Sequence, residues 1–213
     1  MSAPLFKEDI LFLQRFLNCG GFDTRGIDGA WGPNTESALE SFQAASTAVR
    51  TDLGALDERS EQSILTLHVP VQRAARQSLR ALLAAGFSAR ILSGTRTYAE
   101  QNALYALGRS KPGRKVTNAR GGYSNHNFGL AWDIGLWVDG YYDGRKVPRD
   151  KALEQRANQR YRDAAALLLG QGIANLEWGG SWVNFADPPH YQITVKLNLA
   201  RLRDRLRNGT RYC

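Results

Sequence analysis

The sequence predicts an α+β protein in two parts, a small N-terminal three-helix bundle followed by a larger mixed domain. Three observations carry that prediction. Helix-period apolar segments fill the first 67 positions. After residue 68, helical segments are interleaved with short strand-like runs at Ala89–Leu92, Leu130–Val138 and His190–Val195. The two kinds do not alternate strictly, which favours α+β over a doubly wound sheet.

In residues 1–67, Ile10, Leu13, Phe16 and Leu17 share a helical face, and Gly20-Gly21 end that helix. Phe22 to Gly32 is rich in Gly and Asp and reads as a loop. Pro33 suits the first turn of a second helix, with Ala38, Leu39 and Phe42 on one face. Asp57 is placed to cap a third helix containing Ile64, Leu65 and Leu67. In residues 68–213, Val71, Ala75, Leu79 and Leu82 mark a helix that Gly86 closes. Thr97-x-x-Glu100 is a capping box opening a helix that stops at Gly108. Arg109 to Ser124 is a polar loop. Asp139-Gly140 signals a hairpin after the Leu130–Val138 strand. A helix over Leu153–Leu169 ends at Gly170 and Gly172, and Leu199, Leu202 and Leu206 give the tail an amphipathic helical face.

With 43% apolar residues the chain has enough material for a core, so wholesale disorder is excluded. No run of 18 uncharged apolar residues exists, so no membrane-spanning helix is expected. Met1 to Asp9 has no apolar stretch behind a basic start, and the expectation is synthesis without a secretory leader. Cys19 and Cys213 make no metal or redox spacing; reduced thiols are expected, and sequence alone leaves their pairing open. Net charge is +8, and between Lys196 and Arg211 six basic residues against Asp204 leave a local +5. Such a tail suits an anionic partner: wall polymer, lipid headgroup or nucleic acid. No nucleic-acid motif accompanies the charge, so a nucleic-acid partner is not expected.

Two of the three histidines lie in segments that read as metal chemistry, Ser124-Asn125-His126-Asn127-Phe128-Gly129-Leu130-Ala131-Trp132-Asp133 and Asp187-Pro188-Pro189-His190-Tyr191. His126, Asp133 and His190 supply three ligands, the number a catalytic zinc takes while keeping one position for water. On the predicted strand Asp133 shares its face with Ala131 and Gly135, which leaves room for a metal and a substrate. Two carboxylates qualify as the proton-transfer group. Asp187, the better candidate, sits three residues before a ligand, on a backbone restricted by two prolines; Glu177, the competitor, reads as a site-wall residue beside Trp178. Tyr98, Tyr123, Trp137 and Trp182 are aromatic candidates for a groove wall.

These motifs, with Ser93-Gly94-Thr95-Arg96-Thr97-Tyr98-Ala99-Glu100-Gln101 upstream and Leu176-Glu177-Trp178-Gly179-Gly180-Ser181-Trp182 downstream, resemble the D-alanyl-D-alanine metallopeptidase family over about residues 70 to 195. The likeness is nearest to its L-alanyl–D-glutamate endopeptidase branch, found in phage endolysins. It implies a Hedgehog/DD-peptidase-like zinc peptidase domain holding one Zn2+ per chain. It also implies that Arg96 binds substrate and stabilises the developing oxyanion, with Gln101 and Ser124 at substrate-binding positions. Leu13-Gln14-Arg15-Phe16-Leu17, Gly21-Phe22-Asp23, Asp28-Gly29-Ala30-Trp31-Gly32-Pro33-Asn34-Thr35 and Phe42-Gln43 resemble the three-helix peptidoglycan-binding module over Leu5 to Gln43. That likeness makes peptidoglycan the expected partner, with Trp31 and Asp28 as contacts; the same Asp28-Gly29 pair also reads as a plain tight turn.

The expected function is hydrolysis of a peptide bond in the peptidoglycan stem by a monomeric phage endolysin, made in the host cytoplasm and released through a holin-type pore to the wall. D-alanyl-D-alanine carboxypeptidase activity uses the same metal chemistry and stays open at this point. So does a non-catalytic wall-binding protein, although the intact ligand set argues against it. The basic tail is expected to contact the anionic wall or outer membrane, or to dock on the domain with a solvated basic side.

Overall fold

The computed structural model describes residues 6–213. Leu5, where the wall-module resemblance begins, and the first four residues of the expected leaderless start lie outside the described residues. The architecture is α+β. Helices α1 (Lys7–Cys19), α2 (Pro33–Leu53), α3 (Glu58–Ile64) and α4 (Val69–Ala84) precede strand β1 (Ser88–Ser93) and helix α5 (Tyr98–Ala106). Strands β2 (Ala131–Val138) and β3 (Tyr141–Tyr142), helix α6 (Lys151–Leu169), strands β4 (Leu176–Trp178) and β5 (His190–Ile193) and helix α7 (Leu199–Asn208) complete it. No described helix is long and apolar enough to cross a membrane.

Residues Phe16, Leu17, Ala38 and Phe42 form a small core between α1 and α2, with Phe42 edge-on to Phe16 and Phe22. Gln14, nearly fully buried, frames the connecting loop. Its amide donates to Asp28, the Ala30 carbonyl and Thr35, and its oxygen accepts from the Asp28 and Gly29 N–H groups. One buried side chain thereby satisfies four loop groups and one in the first turn of α2 that water would otherwise have to reach.

The third helix departs from the expected bundle. Ile64 and Leu67 are fully buried in the larger core, beside Val71, Leu79, Ile91 and Trp132. Asp57 caps α3 through the Ser60 N–H (3.2 Å), and Ser60 Oγ accepts from Ile91 N–H of β1 (3.0 Å). An edge strand needs its outward groups covered, and α3 covers this one. The apolar surface of α3 is therefore matched to the sheet rather than to α1 and α2. Where one part ends and the next begins is not set by a clean gap at residue 67: His68, fully buried, stacks on Phe16 (4.2 Å between ring centres) and meets Tyr212 Oη at 3.2 Å.

The sheet runs β1-β2-β5-β4, every pair antiparallel, with β3 hairpinned onto β2. Asp139 and Gly140 both adopt positive φ in that hairpin, as a two-residue turn of this kind requires. Along β2, Leu130, Trp132 and Ile134 enter the core while Ala131, Asp133 and Gly135 face the other way, as the alternation predicts. Register places Asp133 opposite both Ser93 and His190.

The tail takes the docked form, one of its two expected states. Leu202 and Leu206 of α7 are buried in the main core, and Tyr212 Oη donates to the Phe128 carbonyl. Docking on the domain is thus the observed state, with Arg201 and Arg207 exposed on the far side. Removal of this segment would open the core, so it is no detachable arm. Cys19 and Cys213 are both free thiols.

Candidate active site

The 3-10 turn Asn125–Phe128, capped by Ser124 and closed by Gly129 at φ 67°, delivers His126 to the polar face of β2. His126 Nε2 lies 3.2 Å from Asp133 Oδ1 and 3.1 Å from His190 Nδ1, and those two are 3.6 Å apart. Zinc–ligand distances near 2.1 Å in a tetrahedron imply ligand–ligand edges of roughly 3.3–3.4 Å, so the three atoms are spaced as such a cation requires. The donor set, two imidazoles and a carboxylate, is a zinc set as well.

Each ligand is held from behind. His126 Nδ1–H donates to the Gly94 carbonyl at 2.7 Å. A side chain at Gly94 would collide with the Ser63 carbonyl, 2.3 Å from an added Cβ, so only glycine lets this loop press onto the end of α3. Asp133 Oδ2 accepts from Ser93 Oγ (2.7 Å) and from the Arg96 guanidinium, leaving Oδ1 turned to the cluster. His190 Nε2 meets Gln192 Oε1 at 3.0 Å. Orientation of ligands by such outer partners is how protein metal sites fix ring direction.

Burial would raise the Asp133 carboxyl, but the charge and hydrogen bond of His126, the hydrogen bond of His190 and the Arg96 cation hold it well below the usual range. Burial lowers His126, more than Asp133 raises it. At His190 burial also works downward, and the Asp133 hydrogen bond and charge outweigh it.

The cluster opens into a groove of about 1060 Å³. Asp187 lines that groove, and its carboxylate accepts no hydrogen bond from the described residues. Burial, then the nearby Asp133 charge, push it up to about 6. A carboxylate with that affinity for protons, free to move and beside the ligand cluster, is equipped for proton transfer near neutral pH. Glu177 is placed otherwise. It does not line the groove, and its two oxygens accept from Trp182 Nε1–H (2.6 Å) and Gln192 Nε2–H (3.0 Å). Both oxygens are thus committed to other side chains, which favours Asp187 over Glu177 as the proton carrier.

Arg96 and Ser124 line the groove, so the structure brings them together with Asp187 and the three ligands. Gln101 does not join them as a substrate contact. It is fully buried and spends its amide on Arg96 (3.4 Å), Thr117 and the Ala119 carbonyl, bracing the loop. Trp31, 44% exposed, and Asp28 lie on the α1–α2 loop away from the groove; one oxygen of Asp28 is held by Gln14 and Ala30. Tyr123 and Trp182 form groove wall, whereas Tyr98 and Trp137 do not. Sequence reasoning passed over Gln192, Asn125 and Ser93. Gln192 could have been found: it sits two residues after a ligand, on the same face of its strand.

A buried cluster of two histidines and an aspartate, a carboxylate without a partner among the described residues and an open groove are the parts that a mononuclear metallohydrolase centre needs. Residues 117–193 match the family described as D-alanyl-D-alanine carboxypeptidase, and residues 7–47 match a peptidoglycan binding domain family. Two separate stretches of the chain are thus similar to a D-alanyl-D-alanine metallopeptidase family and, nearer the N-terminus, to a peptidoglycan-binding domain. It is 39% identical over 116 residues to the peptidoglycan L-alanyl-D-glutamate endopeptidase CwlK of Bacillus subtilis, an alignment covering 51% of this chain. The chain spans 62% of the length of that curated relative. A solved structure, the L-Ala D-Glu endopeptidase ChiX of Serratia marcescens, is 25% identical with a TM-score of 0.39, covering 65% of this chain and 89% of that one.

Proposed function

We propose that the protein is a zinc-dependent endopeptidase that cuts the L-alanyl–D-glutamate bond of the peptidoglycan stem, held on the wall by its N-terminal helices. The observation that carries this reading is the convergence of His126 Nε2, Asp133 Oδ1 and His190 Nδ1 beside the unpartnered Asp187. The activity of the Bacillus relative supplies the bond. In finer terms the second part is a Hedgehog/DD-peptidase-like domain over residues 68–213, and residues 1–67 are the wall-binding part, with α3 shared between them.

Zinc held by His126, Asp133 and His190 would polarise the scissile carbonyl and acidify a water. Asp187, on the groove wall, takes the proton from the attacking water and returns it to the leaving amine. Arg96 stands behind Asp133. Its fixed charge keeps that carboxylate ionised, and the same guanidinium faces the groove where negative charge develops on the carbonyl oxygen. Ser124 fixes the turn that presents His126. Binding through the Trp31 loop raises the effective concentration of the groove on an insoluble polymer. The cellular setting we propose is that of a monomeric phage endolysin reaching the wall from the host cytoplasm through a holin-type pore, with the exposed arginines of α7 against anionic wall or outer membrane.

The matching family's description favours a second reading, removal of the terminal D-alanine. Mass spectrometry of purified muropeptides after digestion separates the two. Internal cleavage yields glycan-linked L-alanine and a free peptide beginning with D-glutamate. Release of D-alanine alone would assign the carboxypeptidase reaction, and no cleavage by zinc-loaded protein would defeat both.

A further inference from the structure

From His190 a chain of hydrogen bonds passes through the groove-lining Gln192 to Glu177, which does not line the groove. Trp182 Nε1–H donates to Glu177 Oε1 at 2.6 Å, and Gln192 Nε2–H donates to Glu177 Oε2 at 3.0 Å. Gln192 Oε1 lies 3.0 Å from His190 Nε2 and accepts from Asn125 Nδ2–H at 2.6 Å. Pairing of β4 with β5 sets Glu177 opposite Gln192, and Gln192 follows His190 on one strand face. Gln192 and His190 are 7% and 4% exposed, so their polar atoms are matched mainly by protein partners.

By shape alone the Gln192 amide fits either way round; hydrogen bonding decides. A carboxylate only accepts, so the NH2 group must face Glu177. The reversed amide would set its carbonyl oxygen against the carboxylate and leave Asn125 and His190 facing NH2 protons. With Gln192 Oε1 toward His190, that ring must carry a proton on Nε2. The lone pair then falls on Nδ1, the nitrogen that points at His126 and Asp133. We propose that Glu177 is a positioning residue whose acceptor-only carboxylate fixes the direction of the Glu177–Gln192–His190 relay and so selects the His190 tautomer that ligates the metal. This rests on the reading of the triad as a zinc site.

The test is zinc affinity by competition with a chromophoric chelator, together with the visible absorption of the cobalt-substituted protein. Glu177→Gln keeps size and shape but offers donor and acceptor alike, so the Gln192 amide is free to reverse. Expected is about 10–100-fold weaker zinc binding, the usual effect of losing an outer-sphere partner, and an altered cobalt spectrum. The exchanged pair Glu177→Gln with Gln192→Glu restores direction. Glu at 192 accepts from His190, and Gln at 177 donates to it while accepting from Trp182. Zinc affinity and cobalt spectrum should return toward those of the natural protein. Folded Glu177→Gln with undiminished affinity overturns the relay and leaves the metal centre standing. Loss that the folded exchanged pair does not recover overturns it as well. A natural protein that binds no zinc removes the metal-site reading itself, and the relay with it.

Discussion

Two buried polar clusters lie on the same side of the chain's folding problem and solve it in opposite ways. Between α3 and α4, Arg76 is fully buried and meets Glu61 with two parallel bonds of 2.7 and 2.6 Å, while the Leu56 N–H also donates to that carboxylate. Donors face acceptors there, and the charges cancel. Around β2, two imidazole nitrogens and a carboxylate oxygen face one another at 3.1–3.6 Å, with their remaining atoms tied to Gly94, Ser93, Arg96 and Gln192. Those outer ties hold lone pairs inward against their own repulsion. In the first cluster the Glu61 carboxylate is filled by its donors, although Arg76 Nε–H meets no acceptor; the second, on the proposed reading, is filled by a cation. Burial and charge alone would have ranked them as equals, and it is the direction of the hydrogen bonds that separates structure from function.

The sharpest way to break the comparison is to remove one member of each cluster. Asp133→Ala should abolish zinc retention and hydrolysis while leaving a folded chain, because it removes a ligand along with the negative partner of Arg96. Glu61→Ala should do the reverse. Zinc content and activity per folded molecule stay, while stability falls by about 3–5 kcal/mol, the cost of stranding a buried charge. Equal effects of the two substitutions on zinc content would erase the distinction.

Next in size is Asp187→Ala. Zinc and fold should persist while kcat falls about 10²–10⁴-fold, the range for a lost general base. Glu177→Gln should instead act through metal affinity, recoverable with excess zinc. Wild-type turnover in Asp187→Ala would remove Asp187 from the chemistry.

A pH profile sharpens the same point. Burial and Asp133 raise Asp187 to about 6, and the base works only when ionised. Hence kcat/KM should fall as pH drops through 6, or somewhat lower once a cation occupies the cluster. Asp187→Asn should lose that limb. A limb unchanged in the variant would assign it to another group.

The smallest effect concerns the third histidine. His68 is buried with Phe16 and Tyr212, away from the metal cluster, and burial lowers it to about 3. Between pH 6.5 and 3 the unfolded chain binds a proton there that the folded chain does not, so stability is lost as pH falls through that window. From pH 6.5 to 5 the loss is about 2 kcal/mol from this group. Urea unfolding of His68→Gln should show a shallower decline over that interval, and an identical slope would contradict the assignment.

The elements and the ligand triad were legible in the sequence because their signals are local. Thr97-x-x-Glu100, Asp139-Gly140 and Pro33 each act within a turn or two, and alternation along Leu130–Val138 put Asp133 on the open face. What stayed hidden depends on pairing between distant segments. α3 belongs to the sheet because Ser60 meets Ile91, 31 positions on. Gln101 is a brace because Ala119 and Arg96 surround it. Asp187 was already the better-placed base in the sequence, but Glu177 stayed a competitor until β4–β5 register showed that Gln192 and Trp182 occupy it while nothing described occupies Asp187. Trp-Gly-Gly gained its reason the same way: the Trp178 ring lies where a side chain at Gly180 would be, 2.1 Å from an added Cβ.

The most direct measurement is zinc stoichiometry by elemental analysis of the dialysed full chain, beside Asp133→Ala and Glu61→Ala prepared alike. The account predicts about one zinc per chain in the natural protein and in Glu61→Ala, and none retained in Asp133→Ala. Zinc retained equally by Asp133→Ala, or absent from the natural protein after loading, would contradict the claim that the three converging lone pairs are a metal site.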